Sequence, residues 1–138
     1  MKTLAGVMLL VCAALVAQAA SIDGKWTSET QVGDADGKTY TQTSTFVFTS
    51  AGGSLTGTVV QTSEASWMKE WSGKVIDISD GKLDGETFSF RVKRETAQGE
   101  RTAIYEGTIK GDELNGTTKF RGIGITQPFH AKRSVTNN

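Results

Sequence analysis

A four-fold internal repeat restricts the fold of this chain more than any other feature. Each copy reads Leu or Ile, then Asp, Asn or Thr, then Gly, and the copies are separated by 33, 28 and 31 residues. The four copies are Ile22-Asp23-Gly24, Leu55-Thr56-Gly57, Leu83-Asp84-Gly85 and Leu114-Asn115-Gly116. A period of about 30 residues accommodates an outgoing strand, a loop, a returning strand and a turn, because strands commonly have about 5 to 10 residues. Four copies therefore predict eight strands.

Tight-turn signals precede three of the four copies, at Gly52-Gly53, Asp80-Gly81 and Gly111-Asp112. These residue types accept the positive φ angles of two-residue hairpins, so each copy of the repeat is predicted to begin a strand. β-Branched and aromatic residues also cluster in short alternating runs, which is typical of strands. The predicted strands cover residues 22–30, 40–50, 54–62, 70–79, 82–95, 101–110, 113–121 and 126–135.

Hairpins in sequence favour antiparallel neighbours, and eight such strands close into a barrel without an unpaired edge. The predicted fold is therefore all-β, an eight-stranded antiparallel up-and-down β-barrel, with a two-sheet sandwich as the alternative. Alternation along the strands assigns an inward face. The inward set is Phe46, Phe48, Phe88, Phe90, Val92, Arg94, Ala103, Tyr105, Ile109, Phe129, Ala131 and Arg133. A bulge at Gly85-Glu86 is predicted to bring Leu83 into phase with Phe88.

The N-terminus reads as a secretory signal peptide, residues 1–19. An apolar run from Leu4 to Val16 is followed by Ala17-Gln18-Ala19, a small-x-small cleavage pattern, so we expect cleavage after Ala19. The run is shorter than the about 20 residues that span a bilayer, and we expect no membrane span. Residues 20–138 then form one domain, either secreted or periplasmic.

Composition argues against several functions. The only cysteine, Cys12, leaves with the signal peptide, and His130 is the only histidine, so a zinc site or a cysteine nucleophile is not expected. Asp34-Ala35-Asp36-Gly37 lacks the further ligands of a calcium loop and is interpreted as a solvated loop. The mature chain has 14 basic and 15 acidic residues, a net charge of −1, which argues against nucleic acid as a partner. No cofactor is expected.

The longer connections predict where a binding site would lie. They cover about residues 31–39, 63–69, 96–100 and 122–125 and fall at one end of the barrel, and loops on a rigid scaffold commonly carry binding residues. The segment Trp67-Met68-Lys69-Glu70-Trp71 is expected either to plug this mouth or to cover a ligand there. Arg94 is expected to pair with a bound anion or with a rim carboxylate such as Glu70. The candidate ligand-binding residues are Tyr40, Trp67, Trp71, Arg94, Tyr105 and Phe129.

Short motifs resemble a known family. Gly24-Lys25-Trp26-Thr27, Leu55-Thr56-Gly57-Thr58 and the strand from Thr87 to Val92 resemble the calycin barrels, lipocalins and avidins, and small exported bacterial barrel domains of unknown function. In calycins the Gly-x-Trp tryptophan plugs the closed end and an arginine of the last strand packs across it. The resemblance therefore implies structural roles for Trp26 and Arg133.

Departures from the family pattern limit what the resemblance implies about ligands. Arg94 stands near the position where an avidin would have an aromatic biotin contact, and a lipocalin's C-terminal helix is missing, so biotin is not expected. A pocket for a bilin, a retinoid or a fatty acid remains compatible with the sequence, and no residue selects among them.

Three functions remain in competition. The first is a non-enzymatic binding or accessory barrel that holds a small amphipathic molecule at its mouth. The second is an interaction or inhibitor module that has a filled barrel and presents loops 63–69 and 96–100 to an extracytoplasmic protein. The third is an enzyme of unknown class, which would require convergent buried carboxylates or a histidine with an acidic partner.

Overall fold

The computed structural model describes residues 21–96 and 99–134, so the predicted signal peptide lies outside the described residues. Eight antiparallel strands follow one another in chain order and close into a barrel, which confirms the predicted fold and excludes the two-sheet sandwich. The strands are β1 (Gly24–Gly33), β2 (Thr39–Ala51), β3 (Ser54–Thr62), β4 (Val75–Asp84), β5 (Thr87–Thr96), β6 (Gly99–Lys110), β7 (Glu113–Phe120) and β8 (Ile125–Arg133). No helix among the described residues is long and apolar enough to cross a membrane.

Aromatic rings from four strands fill the middle of the barrel. Phe46 contacts Phe90, Tyr105 and Phe129, with ring centroids 5.6 to 5.7 Å apart. Phe90 stacks on Tyr105 at 4.7 Å. The predicted inward face is confirmed for the apolar positions of β2, β5, β6 and β8, which are buried. Each buried large apolar side chain stabilises the fold by about 1.5 to 3 kcal/mol, so this cluster holds the barrel together.

The hairpin between β4 and β5 differs from the sequence prediction. Its turn is Gly85-Glu86, because Asp84 pairs with Thr87 and Leu83 with Phe88, and Gly85 has a φ of 57°. The turn predicted at Asp80-Gly81 is therefore wrong, and so is the bulge predicted at Gly85-Glu86. The repeat copy Leu83-Asp84-Gly85 therefore lies at the end of β4 and not at the start of β5.

Asp80-Gly81 instead forms a bulge inside β4. The register with β5 shifts between Ser79 and Lys82, and Asp80 has a φ of 51°. At Gly81 the strand passes so close to β3 that a Cβ atom would lie 1.9 Å from the carbonyl oxygen of Leu55. Two neighbouring dipeptides thus carry similar turn chemistry, and cross-strand pairing decides that the first one becomes a bulge.

The two ends of the barrel have different connections. The links β2–β3, β4–β5 and β6–β7 are two-residue turns, and we call this the tight-turn end. At the opposite end, the open end, the links include residues 34–38, 63–74 and 121–124. The prediction of a strand over residues 70–79 is wrong at its start, because β4 begins at Val75. The predicted loop 96–100 is also wrong, because β5 and β6 pair up to Thr96 and Gly99.

The seam between β1 and β8 is short. Within the described part of the chain these strands pair only at Trp26 with Arg133 and at Thr27 with Lys132, whereas β1 pairs with β2 over its whole length. Backbone groups alternate between the two neighbours of a strand, and the N–H of Ser134 donates to Lys25 in β1. By this alternation Pro128 also faces β1, and it has no N–H to donate. The seam is therefore paired only at the tight-turn end.

Candidate functional site

A cavity of about 330 Å³ lies at the open end of the barrel and is called the mouth cavity. It lies above the aromatic cluster and is bordered by β1 and β8, the two strands of the short seam. Five of the six predicted ligand-binding residues line it: Trp67, Trp71, Arg94, Tyr105 and Phe129. The order of the strands brings them together from β5, β6, β8 and the 63–74 link.

Tyr40 is the predicted residue that does not line the mouth cavity. Its hydroxyl donates a hydrogen bond to the carboxylate of Asp36, and this contact raises the pKa of Tyr40. The side chain therefore belongs to the link between β1 and β2. Strand parity could not reveal this, because Tyr40 lies at the start of β2, where the carboxylate of Asp36 in the preceding link binds its hydroxyl.

Polar side chains make up much of the cavity wall, and sequence reasoning missed them. They are Ser28, Thr30, Gln42, Ser44, Gln61, Thr118 and Gln127. A signal was present in β2, where Gln42 and Ser44 share the inward parity of Phe46 and Phe48. The interior thus changes from aromatic to polar along one face of a strand.

Arg94 is the cation of the mouth cavity. Its guanidinium carbon lies 5.6 Å from the ring centroid of Trp71, and its Nε and Nη2 atoms are buried without a protein hydrogen-bond partner. No carboxylate of the described residues lies within 4.0 Å of it, so the expected pair with Glu70 is not formed. Burial lowers the pKa of Arg94, and burial raises the pKa of Tyr105 beside it.

Two further arginines, Arg101 and Arg121, lie near Arg94. Arg101 lies directly opposite Arg94 in the β5–β6 ladder, and Arg121 borders the same side of the barrel. In the described residues none of the three forms an ion pair, whereas Arg91 and Arg133 each face an aspartate. Like charges placed opposite each other repel, so the open end gains from a bound anion.

The segment Trp67-Met68-Lys69-Glu70-Trp71 covers one side of the mouth without filling it. Met68 is fully buried, while Trp67 and Trp71 contact each other with ring centroids 5.8 Å apart. The indole N–H of Trp67 donates to the carbonyl of Gly33 at 3.0 Å. Both tryptophans also line the mouth cavity, so the segment closes one wall of it.

A link from β1 fixes this segment in place. The carboxylate of Asp34 accepts hydrogen bonds from the backbone N–H and the hydroxyl of Ser66, both at 2.6 Å. Ser66 opens a short 3₁₀ helix, Ser66–Met68, which carries Trp67. These hydrogen bonds lower the pKa of Asp34. Asp34 thus acts as a latch between two loops of the open end.

An apolar groove continues from the mouth cavity to the outside and is called the entrance groove. Its volume is about 610 Å³, and it shares Trp67, Trp71 and Arg94 with the cavity. The outer part is lined by Ile123 and Ile125, which are 53% and 47% exposed. Exposed apolar side chains that cluster at a cavity are a common mark of a binding surface.

Among the described residues no group of three or more His, Cys, Asp and Glu side chains is arranged to hold a metal ion. His130 is exposed on the outer face of β8, with its Nε2 3.8 Å from a carboxylate oxygen of Glu113. The mouth cavity offers a cation, hydrogen-bonding groups and apolar surface.

Trp26 and Arg133 lie at the tight-turn end, away from the mouth cavity. Trp26 is fully buried, and the Arg133 guanidinium lies over its ring. The barrel is thus compatible with a calycin-like fold. Comparison with protein-family models found no match, and searches of curated proteins and of solved structures found no match either.

Proposed function

We propose that this protein is an exported, non-enzymatic binding barrel that holds a small amphipathic anion in its mouth cavity. The observation that carries the proposal is the unpaired guanidinium of Arg94 in the wall of that cavity. As an exported protein it would meet its ligand in the periplasm or outside the cell.

A bound anion would supply the charge partner that Arg94 lacks among the described residues. Buried charges in proteins are normally paired, because burial removes the hydration of the charged group. Buried polar atoms without a partner are also rare, and each one calls for an explanation. A carboxylate on the guanidinium would form charge-assisted hydrogen bonds, which are about twice as strong as neutral ones. Arg101 adds a second positive charge at the same rim.

The entrance groove accounts for the amphipathic character. A molecule held at Arg94 extends past Trp67 toward Ile123 and Ile125, whose exposed surface it would cover. Burial of apolar surface contributes about 25 cal/mol per Å², so a tail of a few carbon atoms adds measurable affinity. The ligand class is therefore a small organic acid with an apolar part.

Tryptophan fluorescence during titration with aliphatic and aromatic acids tests the proposal, since Trp67 and Trp71 line the site. We expect a saturable response that is lost in Arg94→Met and weakened in Trp67→Ala. Arg91→Met is the matched control, because Arg91 lies on the same strand beside Asp80 and does not line the mouth cavity. Equal responses in both arginine variants, or no response to any acid, would contradict the proposal. Native mass spectrometry of protein from its own host would identify a retained acid.

A protein-interaction module is the second candidate, because Trp67, Ile123 and Ile125 form an exposed apolar patch at the mouth. In that case a partner protein would cover the patch. Crosslinking from position 123 in the native host distinguishes the two, because a ligand-binding barrel gives no specific protein adduct. An adduct abolished by Ile125→Ser but retained in Arg94→Met would favour the interaction module.

A further inference from the structure

We infer that the ligand of the mouth cavity is a carboxylic acid with a hydroxyl group next to its carboxylate, bound with this polar end inward. The inference rests on the proposed function and specifies its ligand class and orientation.

Unpartnered polar atoms define the requirement. In the described part of the protein, four buried side-chain nitrogen and oxygen atoms lack a hydrogen-bond partner: Gln61 Oε1, Trp71 Nε1, Arg94 Nε and Arg94 Nη2. All four belong to three residues that line the mouth cavity. The nitrogens are donors and the Gln61 oxygen is an acceptor. A fitting ligand therefore supplies several acceptor lone pairs and one donor.

Gln61 is the residue that requires the donor. Its Nε2 donates to the hydroxyl of Ser44 at 3.0 Å, and its Oε1 has no hydrogen-bond partner among the described residues. A carboxylate has only acceptors and cannot satisfy this oxygen. A hydroxyl beside the carboxylate can, while the carboxylate itself pairs with Arg94.

The distribution of polarity sets the orientation. The cavity wall that adjoins the core contains Ser28, Ser44, Gln61 and Thr118. The entrance groove has Arg94, Arg101 and Glu70 among its lining residues, but most of its surface is apolar and comes from tryptophan, phenylalanine and isoleucine. An apolar tail placed inward would desolvate these hydroxyl and amide groups without returning their hydrogen bonds. The polar end therefore lies inside and the tail lies in the groove.

Isothermal titration calorimetry with hexanoate, 2-hydroxyhexanoate and 2-methoxyhexanoate tests the donor. We expect 2-hydroxyhexanoate to bind at least about tenfold more tightly than hexanoate, because loss of the donor leaves a buried acceptor unpaired. The methoxy acid, which has no donor, should bind no better than hexanoate. The preference should disappear in Gln61→Met and persist in Thr62→Val, a matched control whose exposed side chain points away from the lumen.

The outcomes separate the inference from the proposed function. Equal affinities for hexanoate and its 2-hydroxy and 2-methoxy derivatives would overturn the inference and leave an anion-binding barrel in place. Binding of none of these acids, nor of their longer homologues, would overturn both. The comparison of the three acids uses the unaltered protein, so it decides the question even if Gln61→Met fails to fold.

Tail length tests the orientation. Extension from 2-hydroxyhexanoate to 2-hydroxydecanoate should increase affinity by about tenfold or more, because each buried CH₂ group contributes favourably. Ile125→Ser should remove most of this gain, because the side chain lines the groove that the longer tail would occupy. A gain that survives Ile125→Ser and increases in Thr118→Val would place the tail inside the barrel and overturn the orientation.

Discussion

The guanidinium of Arg133 lies over the indole ring of Trp26, with its Cζ atom 4.3 Å from the ring centroid. The same guanidinium donates to the backbone carbonyls of Ser21 and Asp23 and to the carboxylate of Asp112. The Arg133 side chain at the end of β8 thus connects three parts of the tight-turn end: the segment before β1, the turn between β6 and β7, and the buried Trp26.

Trp26→Ala should lower the free energy of unfolding by about 3 to 5 kcal/mol, as truncation of a large buried aromatic side chain does. Trp26 is fully buried, and its Nε1 donates to the carbonyl of Ile22 at 2.8 Å. Urea unfolding followed by circular dichroism measures the change. Trp67→Ala is the control, with an expected loss below about 1.5 kcal/mol because Trp67 is 46% exposed. A loss for Trp26→Ala as small as that expected for Trp67→Ala would show that Trp26 is not a structural anchor.

Gly81→Ala should destabilise the barrel by about 1 to 3 kcal/mol or more, since the added Cβ would collide with the Leu55 carbonyl in the neighbouring strand. Gly33→Ala is the matched control, because nothing lies within 4 Å of a Cβ at that position. Thermal unfolding of the two variants measures the difference. If both variants unfold at the temperature of the unaltered protein, the bulge in β4 is wrong.

Arg94→Met should raise the free energy of unfolding by roughly 1 kcal/mol while it abolishes anion binding, because the unliganded protein no longer buries unpaired donors. The lost stacking on Trp71 offsets part of this gain. Chemical denaturation without and with 2-hydroxyhexanoate measures both effects, since only the unaltered protein should be stabilised by the acid. A destabilised Arg94→Met variant would indicate a structural role for the guanidinium.

Acid should release the latch at Asp34. Its pKa is below the ordinary aspartate value of 3.8, chiefly because of hydrogen bonds from Ser66, with a smaller contribution from Lys69. A lowered native pKa means that the stabilisation is complete above about pH 4 and is lost as the pH falls through the native value.

The indole N–H resonance of Trp67 reports on this release, because it donates to Gly33 next to the latch. We expect its chemical shift to change in the acid range and to stay constant in Asp34→Asn, which cannot titrate. Asp23 has a lowered pKa as well, owing to Ser50, but it lies at the tight-turn end, and Asp23→Asn should leave the Trp67 titration intact. A transition that persists in Asp34→Asn would assign it to another carboxylate.

Strand number, strand order and the inward aromatic face are predictable from the sequence because they depend on local turn chemistry and on period-two alternation. The sequence does not reveal which of the dipeptides Asp80-Gly81 and Gly85-Glu86 forms the turn and which forms the bulge, since both accept the same backbone angles. The pairing of Leu83 with Phe88 decides it, and that contact exists only in the assembled sheet.

The candidate site likewise contains some residues that are predictable from the sequence and others that are not. Trp67, Trp71 and Arg94 were recognisable as unusual residues near a mouth, whereas Gln61 and Thr118 resemble ordinary strand residues until barrel closure places them in one wall. The absence of an ion pair at Arg94 also depends on where Glu70 points, and loop residues carry no parity signal.

The short seam gives the barrel a preferred place to open. Amide hydrogens near the mouth in β1 and β8 are held by fewer partners than those of β5 and β6, so they should exchange with solvent through a local opening well below the energy of global unfolding. The mouth cavity borders both strands of this seam. A bound molecule that bridges them would slow the exchange, so the deuterium uptake of two strands becomes a measure of occupancy for a ligand not yet identified.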